Sequence, residues 1–197
     1  MLQEVSDELG LNAKKCENEA ALYGPKLDFM FKDALDREIQ IPTVQLDFAT
    51  PKRFHLFYID EDGKKQNPVM VHRAVLGSYE RFLVLLLEQF KGVLPVWLSP
   101  VQVNIVPINM KYHDEYSRKI KELLLDQEIR VSYDDSEERF NKKIMQSNLM
   151  KNPYTIIIGD NEINNNLISY KKYGSDQTIA ISIEEFIEYI KKEIKSR

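Results

Sequence analysis

Between Pro95 and Pro100 the hydrophobic pattern of this chain changes kind, and that change limits it to two bodies. Upstream, alternating runs at Tyr23 to Met30, Ile39 to Phe48 and Phe54 to Ile59 read as strands separated by turn signals, the second interrupted by Pro42. Residues 1 to 9 read as the end of an amphipathic helix, and an apolar segment from Phe82 closes the run as a buried helix ending near Phe90. This is an α+β arrangement built on antiparallel strands. Downstream, strand and helix alternate. Val101 to Ile108, Ile129 to Tyr133 and Thr155 to Gly159 read as strands. Asp114 to Asp126 and Phe140 to Met150 read as helices between them. Strands at 167–172 and 178–183 follow, with 164–166 as a hairpin loop, and Ser182 opens a closing helix from Glu184 to Lys195. That order predicts an α/β domain with a mixed sheet. The expected domains are 1–98 and 99–197, with Trp97 as a packing anchor at the boundary.

The chain has 197 residues, 43% of them hydrophobic, which is enough for real cores. Its longest apolar run, Phe82 to Leu87, cannot span a bilayer, and the acidic start MLQEVSDELG is unlike a secretory or transit leader. Cys16 is the one cysteine, which excludes an internal disulfide and points to the cytoplasm. A net charge of -4 argues against indiscriminate nucleic-acid binding but leaves room for a local RNA-binding face.

The stretch PVMVHRAVLGSYERF, Pro68 to Phe82, concentrates the chemistry. A strand leads to His72 and Arg73, Gly77-Ser78 makes a turn, and Glu80 and Arg81 fall in the first turn of the next helix. Gly77 and Ser78 let a phosphate approach the backbone, and Arg81 can grip it with a fixed fork of donors. His72, at the strand end, can face the same cleft as a metal ligand. On the second strand Thr43 and Gln45 share one face, where they and Gln40 can hydrogen-bond a small polar ligand; solvent-facing strand residues are the plainer reading.

This string resembles motif 3 of class II aminoacyl-tRNA synthetases, specifically of the threonyl type. The resemblance extends through YGPKLDF (Tyr23 to Phe29), TVQLDF (Thr43 to Phe48) and LPVWLSPVQV (Leu94 to Val103). It implies that 1–98 is part of an antiparallel-sheet class II catalytic core and 99–197 an α/β anticodon-binding domain. The implied activity is threonine–tRNA ligation, in which ATP activates threonine and the acyl group passes to tRNA-Thr. By the resemblance, Arg81 clamps ATP phosphate and His72 holds a Zn2+ that reads threonine's amino and hydroxyl groups. Such a zinc separates threonine from valine where apolar contacts discriminate poorly. Lys26 would stabilise the reacting carboxylate or α-phosphate. Tyr23, Gln40, Thr43, Gln45, Gly77 and Ser78 would line the ATP and amino-acid cleft. Lys143, Glu162 and Lys171 are candidates for the anticodon. ATP acts with Mg2+, and the full-length family is homodimeric.

The resemblance also implies that parts lie upstream of residue 1: the other zinc ligands, a Cys and a His, the ATP-binding arginines of motif 2, motif 1 and an editing domain. Cys16, His55 and His113 do not match the family's positions. The expectation is a carboxy-terminal portion that is inactive and aggregation-prone alone. The competing reading is a catalytically inactive tRNA-binding module. Two departures stand out. Ile39-Gln40-Ile41-Pro42-Thr43 replaces a string carrying a cysteine, and Asp134 to Arg139, with Asn141 and Met145, lacks the arginines and asparagine of the anticodon motif.

Overall fold

A computed structural model describes residues 2–196, so Met1 of the expected first helix and Arg197 lie outside the described residues. The chain divides into two compact units, Met1–Gln89 and Phe90–Arg197.

The first unit carries helix α1 (Leu2–Glu8) and a three-stranded sheet of β1 (Lys26–Lys32), β2 (Glu38–Asp47) and β5 (Met70–Ala74). Both neighbouring pairs are antiparallel, with β2 in the centre. The turn between β1 and β2 is built on Asp33, whose buried carboxylate accepts the Leu35 amide at 2.9 Å and the Arg37 amide at 2.8 Å. Pro42 does not interrupt β2. Asp28 pairs with Thr43 and Met30 with Gln40, so Ile41 and Pro42 together oppose Phe29. A β-bulge absorbs the proline, whose missing N–H would weaken a regular ladder.

The strand expected over Phe54 to Ile59 is reduced to β3 (Tyr58–Ile59), paired with β4 (Lys65–Gln66). A one-turn helix α2 (Thr50–Arg53) precedes it. The Asp47 carboxylate accepts the Ala49 and Thr50 amides at 2.9 and 2.8 Å, and Pro51 fits the first helical turn, so the chain coils before it can extend. Helix α3 (Tyr79–Gln89) is present, but it is not buried: Leu83, Val84 and Leu87 are about half exposed. Its apolar sequence marked a helix correctly and its surroundings incorrectly, because the sheet of this unit leaves that face uncovered.

The second unit contains β6 (Val103–Pro107), α4 (Met110–Leu125), β7 (Val131–Tyr133), α5 (Phe140–Leu149), β8 (Tyr154–Ile158), α6 (Asp160–Asn165), β9 (Ile168–Lys172), β10 (Thr178–Ile181) and α7 (Ile183–Lys195). The strand order is β10-β9-β8-β6-β7, with β6 parallel to β7 and β8 and the other pairs antiparallel. This is the expected α/β mixed sheet. Apolar residues of β6, β8 and β9 meet Ile120, Leu124, Phe186 and Ile190 from α4 and α7 in one buried core.

Helix α4 begins earlier than its apolar period suggests because Asn109 caps it, accepting the Lys111 amide at 2.9 Å. Ser182 caps α7 as expected, and Glu185 makes the cap reciprocal by accepting the Ser182 amide. Residues 164–166 are not a hairpin loop. They end α6, and Asn166 closes it in the left-handed region at φ 54°. Trp97 is not a packing anchor either. It is 40% exposed, and Val96 enters the core in its place.

Candidate functional site

Strand register decides which side chains meet. The pairs Lys26–Gln45, Asp28–Thr43 and Gln45–His72 lie opposite one another across the first sheet. Opposed residues share a face, so Lys26, Asp28, Thr43, Gln45, Asp47 and His72 all project from one side. The bulge adds Gln40. With one extra residue in β2, Gln40 and Thr43 fall on the same side although they are three apart.

Asp28 is the hub of this face. Its Oδ1 accepts the Gln40 amide and the Thr43 hydroxyl, both at 2.7 Å, and its Oδ2 pairs with the Lys26 ammonium. The Gln45 amide donates to the Thr43 hydroxyl at 3.2 Å, and the Tyr23 hydroxyl donates to Gln45 Oε1. Tyr23 lies 5.5 Å from the His72 ring, centroid to centroid. Gly24 holds Tyr23 beside the sheet at φ 156°, where a Cβ would lie 2.0 Å from the Leu46 carbonyl oxygen. Only glycine lets the strand-entry loop approach that closely.

At the far end of the face His72 Nε2 lies 3.0 Å from Asp47 Oδ2. The Asp47 side chain is buried. Burial pushes its carboxyl pKa up, but hydrogen bonds from Thr50, His72 and the Ala49 amide outweigh this and hold it below the ordinary aspartate range.

Arg81 reaches the same strand from α3. Its Nη1 donates to the Gln40 carbonyl at 3.0 Å, and its amide donates to Ser78 Oγ at 3.3 Å. Gly77 stands at φ 65°, where a Cβ would come within 3.1 Å of the Ile41 carbonyl oxygen. The turn therefore packs on the bulge. Lys26, Tyr23, Gln40, Thr43, Gln45 and His72 are thus brought into one polar strip, with Gly77 and Arg81 against the Gln40–Ile41 stretch of β2 and Ser78 between them in sequence.

Two members were not singled out from sequence. Asp28 stands two residues beyond Lys26 and Asp47 two beyond Gln45, so strand alternation places both on the same face; that signal was available. Chemically, the strip offers carboxylate, amide and hydroxyl groups suited to a small ligand carrying an amine and a hydroxyl, with a guanidinium beside it for phosphate. Among the described residues no group of three or more His, Cys, Asp or Glu could hold a metal ion. His72 supplies one nitrogen ligand, and Cys16 is exposed in the loop before β1.

In the second unit the three candidates are not equivalent. Lys143 is buried, its ammonium 3.1 Å from the Asp134 carbonyl oxygen, and does not present its charge to solvent. Glu162 is tied internally, accepting the Gly159 amide at 2.9 Å and the Ser169 hydroxyl at 2.6 Å. Lys171 lines an open groove of about 610 Å³ with Phe140, Asn141, Met145, Asn148 and Thr178.

A family profile described as the tRNA synthetase class II core domain (G, H, P, S and T) matches residues 2–90, and one described as the anticodon binding domain matches residues 102–193. The chain joins a piece of a class II tRNA synthetase core to an anticodon-binding domain. Among its relatives, a threonine–tRNA ligase of Geobacillus sp. (strain WCH70) is 43% identical over 195 residues, 99% of this chain and 30% of that protein. The enzyme of the same name from Lactobacillus acidophilus is 43% identical over 196 residues, again 30% of its length. The crystal structure of the RNA binding domain of threonyl-tRNA synthetase from Cryptosporidium parvum Iowa II superposes with a TM-score of 0.85 at 35% identity, covering 98% of this chain and 48% of that one. The chain thus spans about 30% of the length of the curated relatives it matches. Among the described residues no helix is long and apolar enough to cross a membrane.

Proposed function

We propose that this chain is part of a threonine–tRNA ligase, with residues 1–98 contributing one side of the threonine and ATP site and residues 99–197 reading the tRNA-Thr anticodon. The observation that carries this reading is the single polar face centred on Asp28, since threonine presents an ammonium, a hydroxyl and a carboxylate at once. Activation joins threonine's carboxylate to the ATP α-phosphate and releases pyrophosphate. Transfer to the terminal ribose of tRNA-Thr follows. Both steps gather negative charge, so fixed cations and oriented donors supply most of the help.

In this reading Arg81 binds ATP phosphate, accompanied by Mg2+. It keeps Nη1 on Gln40 and turns the rest of its fork outward. Gly77 and Ser78 give the nucleotide access to the turn. Lys26 stabilises the carboxylate or α-phosphate, and Tyr23, Gln40, Thr43 and Gln45 orient threonine and adenylate. His72 would give one nitrogen to a Zn2+, and no cluster of further ligands stands with it among the described residues. Bound there, the zinc would supply a Lewis-acid centre for threonine's amino and hydroxyl groups, the second of which valine lacks. Lys171 and its groove form the anticodon contact. Lys143 and Glu162 act as supports of that domain rather than as RNA ligands, because Lys143 is buried and both oxygens of Glu162 hold groups of the same domain. We place the ligase in the cytoplasm as a homodimer.

The test is a chimaera in which this chain replaces the matching 195-residue stretch of the Geobacillus relative. Threonine-dependent ATP–pyrophosphate exchange is expected, falling at least tenfold with Arg81→Ala. Exchange driven by proline would overturn the amino-acid assignment. A folded chimaera that binds tRNA but activates no amino acid would leave an inactive tRNA-binding module.

A further inference from the structure

His72 and Asp47 form a contact whose chemistry reaches past residue assignment. A neutral imidazole has one N–H and one lone pair, and its surroundings choose which nitrogen holds which. Asp47 Oδ2 lies 3.0 Å from Nε2. The other oxygen, Oδ1, is already occupied by the Ala49 and Thr50 amides. An aspartate holding two backbone amides is an ionised, acceptor-only group near neutral pH. Nε2 must then be the donor. Nδ1 has no hydrogen-bond partner among the described residues, and the side chain is 43% exposed on the polar face.

We propose that Asp47 is a positioning residue that locks His72 in the Nε2–H tautomer, leaving the Nδ1 lone pair as the ring atom offered to a ligand. The carboxylate is itself held by the first turn of α2 and is buried, so it cannot swing away. Ring orientation and tautomer are therefore set by the β2–α2 corner before any ligand arrives. Carboxylates that accept from the far nitrogen of a ligating histidine act in this way and raise the basicity of the ligating nitrogen. That Nδ1 meets a zinc rests on the ligase reading above. The tautomer does not, and the experiment reads the tautomer alone.

The measurement is a long-range 1H–15N correlation spectrum of the chain at pH 7.5, with 15N in its three histidines and His72 assigned from the His72→Asn spectrum. The expected wild-type result is an Nε2–H ring at His72. Asp47→Asn inverts the donor. Its Oδ1 can keep the two amides, while its NH2 group faces Nε2 and demands the lone pair there. The His72 proton should move to Nδ1 while the backbone amide spectrum stays folded. An Nδ1–H ring in the wild type would overturn the proposal whatever the variant does. So would a folded Asp47→Asn chain that keeps Nε2–H. A purely structural Asp47 would change stability and leave the tautomer where it was. Loss of ligase activity in the chimaera with the tautomer intact would count against the zinc reading and not against this one.

Discussion

The two units of this chain solve the same problem to different degrees. In the second, a five-stranded sheet and its helices bury a continuous core, and Val103, Ile105, Tyr154, Ile156, Phe186 and Ile190 are essentially inaccessible. In the first, Ile41, Leu46 and Pro51 are the only buried apolar side chains among the described residues, while the helix that follows the Gly77-Ser78 turn leaves Leu83, Val84 and Leu87 about half exposed. What orders the first unit instead is a hydrogen-bonded polar strip on one face of three strands. The contrast teaches where chemistry sits. A ligand-binding face needs polar groups that reach one another and remain accessible, and both requirements take residues away from a core.

The comparison breaks most easily at the cores. Phe186→Ala should cost the second unit about 3–5 kcal/mol, because it opens a cavity among Tyr154 and Tyr170, which the ring meets within 5.6 and 4.9 Å. Leu83→Ala, at a half-exposed helix position, should change stability by no more than about 0.5 kcal/mol. Urea unfolding followed by circular dichroism measures both. Equal losses would mean that the exposed helix face is covered in solution.

Next in size are changes that strike the polar face. Asp28→Ala strands the Gln40 and Thr43 donors and frees Lys26, and should lower the stability of the first unit by about 1–2 kcal/mol. Gly24→Ala should cost more than about 1 kcal/mol, since the new methyl meets the Leu46 carbonyl oxygen. In both variants the amide exchange of the second unit should be unchanged.

The smallest effect sharpens the contrast through pH. In the first unit Asp33 and Asp47 have lowered pKa values. Burial opposes this in both, and hydrogen bonds outweigh it: from Arg37 and Leu35 at Asp33, from Thr50, His72 and Ala49 at Asp47. Their contribution is complete above the unfolded value of about 4 and is lost as pH falls through the lowered folded values. In the second unit burial raises the Tyr116, Tyr154 and Tyr170 hydroxyls. Their contribution is complete below the unfolded value of about 10 and is lost as pH rises through the raised ones. Amide exchange at a series of pH values should show the first unit loosening first in acid and the second in alkali. Asp114, also lowered, moderates the difference in acid.

Sequence made much of this legible, for reasons that differ by element. Helix α7 announces itself through Ser182, and that cap is present in the fold. The mixed sheet followed from strand–helix alternation. In the sequence Pro42 reads as a break, because a proline says nothing about the partner strand. Only the register, with Phe29 opposite two residues, reveals a bulge that moves Gln40 onto the site face. The apolar run in α3 gave the helix but not its burial, which depends on what stands across from it. Lys143 and Glu162 looked available because a sequence shows charge and not the Asp134 carbonyl or the Ser169 hydroxyl that occupies it.

The central claim is the division of labour, with the chemistry on the first unit and the anticodon on the second. Its most direct test is the affinity of the chain, at one fixed salt concentration, for a tRNA-Thr transcript and for the same transcript with its anticodon changed. The account predicts tighter binding to the threonine anticodon, by at least tenfold, and the same preference in Asp28→Ala. Equal affinity for the two transcripts, or a preference that vanishes with Asp28→Ala, would contradict it.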